Sequence, residues 1–208
     1  MLVFGMIRKD ENGQLFLPQK DRSYWQPESA DTPLLYLAWG RRNFEEEYRP
    51  ACRHQGWTAF LIQEGRPKIT LNGKSINVSR GDLALIGPDC MFGWPSLVDN
   101  RCKFVLWMWR GLDAGEVTSS GFSILSPQRS YRESLISNHD LCRKEVQAMD
   151  GYSGDYLTAC QMSFQVLVRR ALESCADSDS YDLVERAAEW MDRHLDSKNP
   201  IARLCDYL

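Results

Sequence analysis

The stretch Lys68-Ile-Thr-Leu-Asn-Gly-Lys-Ser-Ile-Asn-Val78 decides the fold class. Ile69 and Leu71 alternate with polar residues before Asn72-Gly73, and Ile76 and Val78 do the same after it. A two-residue turn between antiparallel strands needs positive φ at both central positions, which Asn and Gly tolerate best. The stretch therefore reads as a β-hairpin with Ile69, Leu71, Ile76 and Val78 turned inward. Outward from it, Gly and Pro break the first 125 residues into short runs suited to strands, at 34–39, 57–63, 83–86, 103–109 and 122–125. The run at 103–109 is apolar on both faces, with Phe104, Leu106 and Met108 on one and Val105, Trp107 and Trp109 on the other. Such a strand must be covered on both sides. One side is expected to line a barrel interior and the other to carry helices. Many short strands between regular turns predict a small barrel or jelly roll.

Beyond Pro127 the apolar period lengthens to three and four residues. Leu135, His139, Cys142, Val146 and Met149 mark one helical face. Leu157, Cys160, Phe164, Leu167, Val168, Ala171, Leu172 and Cys175 mark a second, broader one. An antiparallel helix pair is expected to pack on the barrel and to meet a second copy of the chain, with Leu157, Phe164, Leu167 and Val168 in the dimer contact. The small polar residues of 174–180 read as a boundary. Asp182 then suits the cap of a third helix, with Leu183, Ala187, Trp190, Met191 and Leu195 on its apolar face, and residues 201–208 open another. The expected division is 1–127, 128–177 and 178–208, in an α+β chain.

Composition narrows the function. The 208 residues carry 25 basic and 28 acidic side chains, a net charge of −3, so no overall cationic field draws nucleic acid or an anionic membrane. No apolar run approaches bilayer length, and Arg8-Lys9-Asp10-Glu11 interrupt the apolar start too early for an export signal. Seven cysteines without a CxxC fit reduced thiols in the cytoplasm. The three histidines, His54, His139 and His194, stand far apart, which leaves too few clustered imidazoles for a metal. No nucleophile elbow, phosphate loop or dinucleotide fingerprint occurs. No catalytic residue, metal or cofactor is expected. The remaining signal is aromatic. A barrel can enclose a small ligand between aromatic walls and a few polar groups, and Glu64 could accept hydroxyl hydrogens while an indole stacks on a sugar ring.

The order of barrel, helix pair, boundary and short helix resembles the AraC/XylS family of bacterial transcription regulators, in particular its arabinose-regulator branch. Three segments carry the resemblance. Gly56-Trp-Thr-Ala-Phe-Leu-Ile-Gln-Glu-Gly65 with Ser79-Arg-Gly-Asp-Leu-Ala-Leu-Ile-Gly-Pro88 is similar to the family's cupin-type signature. Ser163-Phe-Gln-Val-Leu-Val-Arg-Arg-Ala-Leu-Glu-Ser174 is similar to its dimerisation helix. Val184-Glu-Arg-Ala-Ala-Glu-Trp-Met-Asp-Arg-His-Leu195 with 201–208 resembles the opening of its helix-turn-helix domain.

The resemblance implies a cupin-like barrel (a double-stranded β-helix or jelly roll) that binds a small effector. A helical dimerisation element and the start of a DNA-binding domain follow, the rest of the reader lying beyond Leu208. It places Phe60, Glu64, Phe92, Trp94 and Trp107 inside the barrel as ligand-binding residues, with Trp109 on the face of Trp107. The branch commonly has a basic residue where Glu64 stands and a His near Phe92, so the effector expected is a neutral sugar or polyol rather than arabinose. The expected partners are that effector, a second copy of the chain and, through the missing reader alone, DNA; no membrane is expected. The alternatives are a cupin-fold enzyme and a carbohydrate-binding protein with no DNA role.

Overall fold

The computed structural model describes residues 8–9, 15–16, 22–27, 31–112 and 121–176. Within them the chain forms β1 (Arg8–Lys9), β2 (Leu15–Phe16), β3 (Arg22–Trp25), β4 (Leu34–Asn43), β5 (Arg49–Cys52) and β6 (Trp57–Gly65). It continues with β7 (Lys68–Leu71), β8 (Lys74–Asn77), β9 (Leu83–Ile86), β10 (Phe92–Trp94), β11 (Arg101–Trp109) and β12 (Phe122–Leu125). Two helices follow, α1 (Arg129–Val146) and α2 (Gly154–Ala176). The third helix expected after Asp182, and the whole segment 178–208, lie outside the described residues.

The hairpin forms as its sequence dictates. Leu71 pairs with Lys74, and Asn72 and Gly73 take φ of 48° and 78°, both positive. Ile69, Leu71 and Val78 are fully buried, while Ile76 is half-buried. The hairpin is one end of a four-stranded sheet ordered β5-β10-β7-β8. Gly93 is required in that sheet, because a Cβ there would stand 2.7 Å from the backbone of Ala51. A six-stranded sheet ordered β12-β9-β6-β11-β4-β3 faces it. Among the described residues these are two separate antiparallel sheets packed as a sandwich rather than one closed barrel.

β11 lies inside the larger sheet, paired with β6 and β4 over nearly its whole length. Its two faces enter two different cores. Phe104, Leu106 and Met108 join Phe60, Ile62, Phe92 and Trp94 between the sheets. Val105, Trp107 and Trp109 join Leu135, Cys142, Leu157, Cys160, Phe164 and Val168 of the helices. Burying an indole of 150–250 Å² returns about 4–6 kcal/mol at 25 cal/mol per Å². That exceeds the roughly 1–3 kcal/mol cost of an unmet N–H, so Trp109 stays fully buried although its Nε1 has no hydrogen-bond partner among the described residues.

The helix pair is the cover that β11 requires. Arg143 and Lys144 in the last turn of α1 oppose the helix dipole favourably. α2 begins at a cap where Ser153 Oγ accepts the Tyr156 N–H at 3.2 Å. Leu157, Phe164 and Val168 are buried within the chain's own core, with Leu167 packed against it. These are the four residues expected to meet a second copy. They face the sheet because the indoles of Trp107 and Trp109 meet Phe164, with ring centroids at 5.0 and 6.0 Å.

His139 sits in the same layer, fully buried, with its Nε2–H donating to the Ala38 carbonyl at 3.1 Å. Burial holds it neutral, with its pKa lowered to about 3 against an ordinary 6.5. In the unfolded chain this group gains a proton near pH 6.5, whereas the folded chain resists it down to about 3. Its contribution is thus complete above pH 6.5 and is lost as pH falls towards 3. Urea unfolding at pH 7, 5 and 4 is expected to show stability falling with acid, and His139→Leu should flatten the part of that slope between pH 7 and 5.

Candidate functional site

The space between the sheets is filled by rings. Phe60 stacks on Phe92 with centroids 5.7 Å apart, Trp94 lies 5.0 Å from Phe60, and Phe44 lies parallel to Trp94 at 3.9 Å. Phe60, Phe92 and Trp94, three of the expected ligand residues, are thus brought together, and all are buried. At one end of this stack His54 Nδ1 shares a hydrogen bond with Thr58 Oγ1 at 2.8 Å, and the His54 ring meets Phe92 edge-on at 5.5 Å.

Trp107 and Trp109 are not in this group. On β6 and β11, Phe60 is opposite Leu106, whereas Trp107 is opposite Ala59. Residues directly opposite share a face, so Trp107 lies across the sheet from Phe60. The expectation that Trp107 and Trp109 line the interior is therefore corrected: both belong to the helix layer.

Glu64 also leaves the interior, for a different reason. Strict alternation from Phe60 and Ile62 would point it inward. A bulge intervenes, because Phe104 pairs with Ile62 but Lys103 pairs with Glu64, which leaves Gln63 as an extra residue. A bulge shifts the alternation of the strand that carries it. Glu64 is thereby placed beside Lys103, which in turn pairs with Arg41. The three form one row on the outer face, with Arg41 Nη2 donating to Glu64 Oε2 at 3.0 Å and Lys103 Nζ to Oε1 at 3.4 Å. Gly65 closes the strand at φ +88°, where a Cβ would strike the Arg101 carbonyl.

This row borders a cleft of about 520 Å³ where β4 and β6 end and β11 begins. Arg41, Arg42, Asn43, Glu46, Glu64, Gly65, Arg101, Cys102 and Lys103 line it. The Arg42 side chain is almost wholly buried, its guanidinium lying over the Phe44 ring at 4.4 Å and its Nη2 donating to the Glu47 carbonyl at 3.2 Å. Arg101 reaches Glu45 at 3.8 Å. The cleft thus pairs carboxylates with guanidinium and ammonium groups, a set that can accept from and donate to the hydroxyls of one small ligand. Of the residues in the row, sequence reasoning found Glu64 and missed Arg41 and Lys103. Their signal was a cation at matching depth near the ends of two strands, which has meaning only once the register is known.

Among the described residues no group of three or more His, Cys, Asp or Glu side chains could hold a metal ion. No described helix is long and apolar enough to cross a membrane.

No family model matches the chain, and no curated protein matches it. Solved structures with some likeness include the AraC-like transcriptional activator CuxR, at 12% identity over 89% of this chain and 75% of that one, TM-score 0.43. ToxT from Vibrio cholerae O395, bound to (E)-4-(8-methylnaphthalen-1-yl)but-3-enoic acid, is 12% identical over 91% of this chain and 70% of its own, TM-score 0.41. A cupin protein from Bacteroides fragilis is 18% identical over 49% of this chain and 86% of that one, TM-score 0.33. Overlaps of this size leave the architecture to be read from the chain's own strands and helices.

Burial of the Glu64 carboxyl would raise its pKa, but the hydrogen bond from Lys103 and the charges of Arg41 and Lys103 outweigh this and hold it below its ordinary 4.5. A carboxyl-detected NMR titration should place the Glu64 midpoint below that value. The midpoint should rise in Lys103→Ala and rise further when Arg41→Ala is added.

Proposed function

We propose that the chain is the sensing part of a ligand-responsive transcription regulator of AraC type, with a small sugar-like effector bound in the cleft beside Glu64. The observation that carries the proposal is the Glu64 carboxylate held between Arg41 and Lys103 at the cleft wall. A carboxylate accepts two hydroxyl hydrogens, and the flanking cations donate to hydroxyl oxygens. Neutral polyols suit such a row because they both donate and accept. This reading moves the effector from the ring-filled interior to the end of the sheet.

The AraC-type assignment is supported by the three segments that resemble that family and by the order of sandwich and helix pair. In this reading the chain is a cytoplasmic homodimer that performs no catalysis. It reaches DNA through a helix-turn-helix domain whose opening Val184–Leu195 and 201–208 resemble. The effector favours one arrangement of the two protomers and so alters the spacing of their readers. The dimer uses the outward face of α2, where Met162 and Val166, one turn apart, are 62% and 58% exposed.

A thermal-shift screen against pentoses, hexoses and their reduced polyols tests the effector, since a ligand of the folded state raises the melting temperature. At least one compound should raise it, and Glu64→Ala should weaken that compound about tenfold, or 1.4 kcal/mol. A shift unchanged by Glu64→Ala would place the effector elsewhere. Sedimentation should give twice the chain mass, falling to a single chain in Met162→Glu/Val166→Glu.

A further inference from the structure

The outer face that carries Glu64, Lys103 and Arg41 continues towards α1. Lys103 pairs with Arg41 and Val105 with Trp39, so Trp39 stands on the same face of β4, one step of about 7 Å further along the strand. Its indole is half-buried, and two residues of α1 hold it. The buried His139 ring meets it edge-on, with centroids 5.9 Å apart. Arg143, in the last turn of α1, lays its guanidinium over the indole, 5.6 Å from the ring centroid. Arg143 has a second partner in Asp140, whose carboxylate lies 3.1 Å away on the helix surface. The cleft beside Glu64 is lined by charged and small polar residues, with no aromatic ring among them. Such a wall satisfies hydroxyls but offers nothing to the C–H face of a sugar ring. Trp39 is the indole next to that wall on the same face, and Arg143 occupies its accessible side.

Resting on the placement of the effector beside Glu64, we propose that the effector is a pyranose sugar whose C–H face stacks on Trp39 in place of Arg143. Its hydroxyls meet Glu64, Lys103 and Arg41, and its ring covers the indole. The exchange is favourable on three counts. An exposed guanidinium over a ring is held weakly, because water competes for the cation. The displaced Arg143 keeps Asp140, so no charge is left without a partner. The indole is already fixed by His139, so little side-chain entropy is lost when the sugar arrives. The same exchange reports occupancy. Arg143 belongs to α1, and α1 packs on α2, whose outward face carries the proposed dimer contact. An open-chain polyol satisfies the charged row but has no rigid face for the indole, so it gains nothing from Trp39.

Calorimetric titration of the full chain with methyl pyranosides of the common pentoses and hexoses, and with the matching alditols, tests the exchange. The methyl group locks the ring closed and leaves the probe uncharged. A methyl pyranoside should bind more tightly than its alditol. Trp39→Leu should weaken it about fivefold, the scale of one aromatic contact. Arg143→Ala should tighten it about threefold, since the competitor for the indole is gone. A merely structural role for Arg143 gives no gain in affinity. The wild-type chain supplies a readout that needs no variant to fold: the Arg143 side-chain protons, shifted by the Trp39 ring current, should move towards their free-chain positions as the methyl pyranoside saturates. If Glu64→Ala weakens binding while Arg143→Ala leaves it unchanged and the Arg143 protons stay in place, the stacking proposal is overturned and the cleft beside Glu64 stands. Equal affinity for pyranoside and alditol overturns it in the same way. If no pyranoside binds, or Glu64→Ala changes nothing, the cleft reading fails and this proposal fails with it.

Discussion

A strand that is apolar on both faces cannot stand at a surface, and the architecture follows from satisfying β11. Phe104, Leu106 and Met108 require a second sheet, and the hairpin sheet supplies it. Val105, Trp107 and Trp109 require a third layer, and α1 and α2 supply that. The helices are therefore part of the sandwich's own core as well as an extension of it. A truncation that removed them would expose the two fully buried indoles of Trp107 and Trp109 together.

The same constraint explains which expectations transferred from sequence to structure. The hairpin at Asn72-Gly73 was legible because its signal is local: two residues that accept positive φ, with alternation on either side. The two faces of β11 were legible for the same reason. Which face looked inward was not, since Phe104 and Trp107 carry equal apolar weight until β6 fixes the register and puts Phe60 opposite Leu106. The α2 stripe through Leu157, Phe164 and Val168 was correctly read as one apolar face. Periodicity does not say whether such a face meets its own sheet or another protomer, and here Trp107 and Trp109 claim it. β5 and β10 were not legible as strands. Each is short, and Pro50 and Gly93 interrupt the usual strand composition.

The candidate site turned on one residue. Gln63 adds a position to β6, and the shift in alternation moves Glu64 from the ring-filled interior to the outer row with Arg41 and Lys103. A bulge of this kind re-aims a side chain while leaving the strand paired on both sides. Sequence alone identified the carboxylate and the chemistry it could offer a polyol, but not its neighbours, which become adjacent only through strand pairing. The same pairing separates the roles of the aromatic residues. Phe60, Phe92 and Trp94 hold the two sheets together, whereas the polar row at the sheet end is the place proposed for the ligand.

Ligand titration followed by backbone amide NMR tests this division most directly. With a sugar or polyol that binds the chain, the account predicts shift changes concentrated at 41–43, 64–65 and 101–103, with the amides of Phe60, Phe92 and Trp94 nearly still. Changes centred on Phe60, Phe92 and Trp94, with the row at Glu64 unmoved, would contradict it.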